Sequence, residues 1–141
     1  MKKFIRIICL LMVITTLVVT PAYAAEQSER ASIYFSAYRA YCYAASSTKI
    51  EVNFSVIGVG IMDELGASKI KVQQSSDKTN WTTVKTFEKE DYNSMTATNT
   101  GFHGATLSCN VTPGNYYRAY VTFYAKNSSG FGEKYYYTDI I

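Results

Sequence analysis

Tyr116, Arg118, Tyr120, Thr122 and Tyr124 recur at every second position of one short stretch of a chain that holds 13 tyrosines. Period two puts them on one face of a strand. Flat aromatic rings interleaved with a guanidinium can stack on sugar rings or pack a protein partner, the cation fixing orientation through hydrogen bonds. Lys69, Lys71 and Gln73 alternate in the same way and could border that face. If the last strand pairs with it, either Tyr135 and Tyr137 or Tyr136 would join. Tyrosine is also favoured on strands whatever their function, and scaffold is the competing reading of the stripe. The candidate ligand-binding set is Tyr116, Arg118, Tyr120, Tyr124, Lys69 and Lys71.

Other chemistry finds little footing. Nucleophilic catalysis needs a nucleophile, a base and usually an orienting group, yet the single histidine is His103, set between Phe102 and Gly104 in a loop-like stretch. One histidine makes no zinc site, and no Asp-rich calcium loop is present. Asp63 and Glu64 could hold a cation or cap a turn. Gly58-Val59-Gly60 lacks the third glycine and the strand-then-helix setting of a phosphate loop. A pair of carboxylates converging in a cleft has no support in the spacing of the 11 acids. The expectation is a protein that is not an enzyme and takes no cofactor and no metal.

The elements that must position the tyrosines are strands. Alternation begins after a polar leader and continues to residue 141, punctuated by turn residues. Ile50, Val52, Phe54 and Val56 share one face of a strand over 49–58. Gly58, Gly60 and Gly66 surround Met62–Leu65 as a loop or single turn. Ile70 and Val72 point inward from a strand over 69–74, a polar turn over 75–80 follows, and 81–87 completes a hairpin. Residues 88–100 read as a long polar loop or weak edge with nothing for a core. Ala105, Leu107, Cys109 and Val111 alternate with polar partners, and Pro113-Gly114 makes a turn. Tyr117, Ala119, Val121, Phe123 and Ala125 form the core face of a strand over 116–126, and 134–141 returns as the last strand. Roughly seven strands without helices predict a two-sheet sandwich over 33–141.

Val111-Thr112-Pro113-Gly114-Asn115-Tyr116-Tyr117, with Val121 and Asn127-Ser128-Ser129-Gly130 after it, resembles the E-to-F corner and F strand of fibronectin type III-like domains. The resemblance implies an all-β, immunoglobulin-like (fibronectin type III-like) sandwich in which Tyr117 is the corner tyrosine, its hydroxyl bonded to backbone near the preceding turn. The run Gly60 to Gly66, the hairpin from Ser75 to Trp81 and Tyr116 to Val121 together resemble an uncharacterised family of small exported proteins of Gram-positive gut bacteria. That likeness implies bacterial secretion and a shared fold, and it transfers no catalytic or binding residue.

Export is also written in the first residues. Lys2, Lys3 and Arg6 precede an almost wholly apolar run from Ile7 to Val19, and Ala22-Tyr23-Ala24 matches a small-x-small cleavage signal, so 1–24 reads as a signal peptide and 25–32 as a polar leader. The apolar run is shorter than the roughly 20 residues a spanning helix needs, so no membrane span is expected after cleavage. Three of the 14 Lys and Arg residues leave with it, so 11 basic face 11 acidic residues in the remainder. That balance carries no electrostatic footprint for nucleic acid. Cys9 goes with the signal. Cys42 and Cys109 stay, and in an oxidising compartment they are expected to form a disulfide, worth about 4–5 kcal/mol in the chain-entropy model; two unpaired thiols are the alternative. The functional expectation is a secreted, extracellular binding or adhesion module for a glycan or protein ligand. A bacteriocin-like or toxin-like effector and a structural envelope protein are the alternatives.

Overall fold

The computed structural model describes residues 33–141. The signal peptide, the leader and Cys9 lie outside the described residues. Six strands make up the fold: β1 Phe35–Ser46, β2 Lys49–Ser75, β3 Thr82–Glu88, β4 Thr96–Asn110, β5 Tyr116–Asn127 and β6 Gly130–Tyr137. All pairings are antiparallel and join one curled sheet. Among the described residues no helix is long and apolar enough to cross a membrane.

β2 organises the molecule. Its first half, through Ile57, lies between β1 and the second half of β4. Its second half, from Glu64, lies beside β5 on one edge and beside the start of β4 and then β3 on the other. The expected loop between Gly58 and Gly66 is therefore strand. An irregularity between Ile57 and Met62 and a positive φ of 106° at Gly60 turn the strand without ending it. The two expected strands over 49–58 and 69–74 are one element of 27 residues, so six strands stand where about seven were expected.

The polar segment after Glu88 also differs from expectation. It holds a single 3-10 turn, Asn93–Met95, then enters β4 at Thr96, and Met95 is fully buried. Threonines alternating with Ala97 and Asn99 build a strand whose faces differ little in polarity, so period two leaves no apolar signature there.

Curling brings β1 over β5 and β6. Tyr38 of β1 lies 5.3 Å from the Phe123 ring and 6.4 Å from Tyr136, and Phe54 meets Phe123 edge-on at 6.2 Å. The core includes the expected Ile50, Val52, Phe54 and Val56 from β2, Ile70 and Val72 further along it, and Tyr117, Ala119, Val121, Phe123 and Ala125 from β5, and it also takes in Met62, Leu65 and Met95 from stretches expected to be loops. Tyr117 is buried at the corner before β5. Its hydroxyl donates to the Thr112 carbonyl at 2.7 Å and accepts from the Thr112 amide at 3.1 Å.

The expected disulfide is absent. Cys42 sits opposite Val52 on one side of β2 and Cys109 opposite Ile50 on the other, so a whole strand separates them, and both are free thiols. Two strand spacings of about 4.8 Å each exceed the roughly 7 Å limit on Cα separation for a bridge. Burial pushes the Cys42 thiol up to about 11 and also raises Cys109.

Candidate functional site

The outer face of the β3-β2-β5-β6 half carries the tyrosine stripe. Antiparallel register sets which side chains stand beside each other on it. Lys71 opposes Tyr120, which opposes Tyr137; Lys69 opposes Thr122, which opposes Tyr135; Tyr124 opposes Glu133. Of the alternatives the sequence left open, Tyr135 and Tyr137 join the outer face, while Tyr136 packs against the core. The turn after β5 could have settled this. With only Ser128 and Ser129 between Asn127 and Gly130, even-numbered residues of β5 must face odd-numbered residues of β6.

Four of the six expected residues, Lys69, Lys71, Tyr120 and Tyr124, line one shallow depression of about 450 Å³ together with Glu133 and Tyr135. Tyr120 and Tyr135 lie nearly parallel, their ring centres 5.9 Å apart, and Tyr137 tilts against Tyr120 at 4.7 Å. Tyr124 stacks on the exposed Phe131 at 5.9 Å, with the Lys89 ammonium 4.0 Å from its ring centre. Lys69 pairs with Glu88 at 3.1 Å and Lys89 with Glu64 at 3.0 Å. Glu133 accepts from the Tyr135 hydroxyl at 3.1 Å and from Ser68 at 3.3 Å.

Partial burial raises the phenol pKa values of Tyr120, Tyr124 and Tyr135; the neighbouring Glu133 reinforces this in all three, and Lys89 opposes it at Tyr124. The hydroxyls therefore stay protonated and can donate at neutral pH. Broad ring faces, hydroxyl donors and carboxylate acceptors on a rigid sheet suit a polyhydroxylated or mixed polar and apolar ligand.

Arg118 and Tyr116 extend the face beyond the depression. The Arg118 Nε donates to Gln73 Oε1 at 2.8 Å, and its guanidinium lies 4.2 Å from the Trp81 ring centre and 4.5 Å from that of Tyr137. Lys78 reaches over Tyr116 at 4.3 Å. Trp81, Glu133 and Lys89 are among the members of this surface that sequence reasoning missed. Trp81 stands between the Asp77 turn and β3, where nothing in the sequence pattern signals that its ring lies over Arg118.

His103 makes no catalytic constellation with its surroundings. Its Nε2 lies 2.8 Å from the Ser94 carbonyl and its ring packs edge-on to Phe54. Among the described residues no group of three or more His, Cys, Asp and Glu side chains converges to hold a metal ion.

No protein-family model matches the chain, and neither does any curated protein. Compared with solved structures, the fold is similar to the X-ray structure of Northeast Structural Genomics Consortium target SoR45, over 74% of this chain and 80% of that one, at 10% sequence identity and a TM-score of 0.41.

Proposed function

We propose that this protein is a secreted, non-catalytic binding module that holds an extracellular glycan or protein ligand on the outer face of β2, β5 and β6. The observation that carries the reading is the assembly of Tyr120, Tyr124 and Tyr135 around one depression, with hydroxyl, ammonium and carboxylate groups at its rim. Such a surface offers stacking area and fixed hydrogen-bond partners. Export rests on the charged, apolar and small-residue zones of residues 1–24. The fold is read as a fibronectin type III-like sandwich. Support comes from strand adjacency, with β1 and the ends of β2 and β4 that pair around Phe54 in one layer and β3, β5, β6 and the other ends of β2 and β4 in the second, and from the Tyr117 corner.

The test is a glycan array and cell-wall pull-down with the protein collected from the medium of an expressing Gram-positive host. A Tyr120→Ala/Tyr124→Ala variant of checked folding runs beside it. Retention by the parent that the variant loses is the expected outcome. Equal retention by both would remove this face from the function.

One observation favours an effector acting on a neighbouring cell's membrane. Ile57, Val59, Ile61 and Phe102 are all exposed where β2 turns, Ile57 stands opposite Phe102, and no charged residue lies between Glu51 and Asp63 or between Asp91 and Arg118. An uncharged apolar tip suits insertion at a lipid surface. Dye leakage from vesicles that Phe102→Ser and Ile61→Ser abolish would favour that reading over the sheet face.

A further inference from the structure

Resting on the reading of the tyrosine face as a binding surface, we propose that its ligand is an acidic saccharide. A ring-borne carboxylate docks on Arg118 while the sugar faces lie on Tyr120, Tyr135 and Tyr137.

Arg118 is the cation of this face built to be met from outside. A guanidinium is weakly hydrated and stacks well, so Trp81 approaching from the β3 side and Tyr137 from the β6 side hold it without a counter-charge. Its Nε is spent on Gln73. The edge that remains, two terminal nitrogens in one plane, matches the two oxygens of a carboxylate. The ion pairs of this face, Lys69 with Glu88 and Lys89 with Glu64, leave Arg118 out.

The clamp is held in place from behind. The Trp81 indole Nε1 donates to the Lys78 carbonyl at 3.1 Å, and Lys78 itself has a φ of 61°, a conformation that a side chain disfavours. Asp77 fixes that turn: its Oδ1 accepts from the Thr79 and Asn80 amides at 2.8 and 2.7 Å and from Ser75 at 2.9 Å, and its Oδ2 accepts from Asn80 Nδ2 at 2.7 Å. The acid nearest in sequence to Trp81 is thereby engaged in its own turn. The same turn carries Lys78 over Tyr116, which adds a second cation at this end.

Charge is mixed within the depression, where Lys69, Lys71 and Lys89 stand among Glu88, Glu90 and Glu133, while Arg118 and Lys78 lie beyond it at the Trp81 end of the face. From Arg118 to Tyr124 the strand rises about 20 Å, room for a short oligosaccharide. The lysines and glutamates of the depression offset each other, so a uniformly anionic polymer gains no net attraction there. A sugar chain bearing an isolated carboxylate finds its counter-ion at Arg118 and acceptors for its hydroxyls at Glu133 and its neighbours.

The experiment titrates the secreted protein, by calorimetry, with a uronic-acid tetrasaccharide, its carboxyl-reduced neutral form and a glycerol-phosphate oligomer. The uronate is expected to bind at least tenfold more tightly than the reduced form. Arg118→Lys keeps the charge but loses the planar fork, so it should erase that preference and leave neutral binding in place. Tyr120→Ala/Tyr135→Ala should weaken both. Equal binding of acid and reduced sugars by the parent protein would overturn the carboxylate assignment and leave the binding face standing, as would tighter binding of the phosphate oligomer. If no saccharide binds the parent, the glycan reading of the face and the inference fall together. The comparison of acid with reduced sugar uses the parent alone, so it decides even if Arg118→Lys does not fold.

Discussion

At the scale of single residues, Tyr117 shows how one hydroxyl can hold a corner. It bonds both the amide and the carbonyl of Thr112 while its ring lies in the core, and it stands 2.9 Å from Gln74 Oε1. Tyr117→Phe keeps the ring and leaves those buried partners unsatisfied, so a loss of about 1–3 kcal/mol is expected in a urea titration. A smaller loss would mean that water replaces the hydroxyl. Cys42 makes a second prediction. Burial raises its pKa in the folded protein from the ordinary 9.0 to about 11, so the protonated thiol is favoured by folding. That contribution is fully present below pH 9 and is lost as pH rises toward 11. Native protein should alkylate slowly at pH 8 and lose stability between those two values, whereas Cys42→Ser should flatten that part of the profile. Asp77 runs the other way. Bonds from Asn80 and Thr79 hold its pKa well below the usual carboxylate range. Its contribution is therefore present above about pH 4 and fades as pH falls through the lowered value. Asp77→Ala should remove that acid-side loss and loosen the Trp81 approach to Arg118, seen as altered indole fluorescence.

Among the elements, β2 marks where sequence reading reached its limit. Lys49 to Val56 and Lys69 to Gln73 alternate cleanly because one face is core and the other is wet, and both were legible, as was the whole inner face of β5. The stretch between them was not. Glycines at 58, 60 and 66 look like punctuation, yet here they let a strand turn from one half of the sheet to the other while its backbone keeps partners. Gly66 shows the difference most sharply. A Cβ there would run into the Met95 carbonyl, so the residue is required by close approach of backbone, not by a loop. Gly66→Ala should cost several kcal/mol, about 2–4, and a midpoint shift of under 0.5 kcal/mol would show that the Met95 turn can give way. The tyrosine stripe was legible on β5 for the same reason as the core face opposite it. Its companions on β3 and β6 depend on hairpin register, which a two-residue turn fixed on one side and a bulge obscured on the other.

For the whole molecule, the question is whether the two halves of the curled sheet fold as one body. β2 and β4 run through both, and the inner faces meet through Phe123, which touches Tyr38 of β1 and Phe54 of the first half of β2. Among the described residues no disulfide ties the halves together, and packing does it. Phe123 is fully buried, and truncating it removes the ring that both halves share. Phe123→Ala should cost about 3–5 kcal/mol, in line with other buried phenylalanines. Shared strands make the loss global: unfolding followed by Trp81 fluorescence, which reports the β3 side, should coincide with unfolding followed by far-ultraviolet dichroism, which reports every strand. Coincidence in both parent and variant would mean that the tyrosine face inherits its rigidity from the core beneath. If the indole signal instead moved ahead of the dichroism in Phe123→Ala, the β3 side would be a separate cooperative unit, and the Trp81 clamp on Arg118 could open without unfolding the rest.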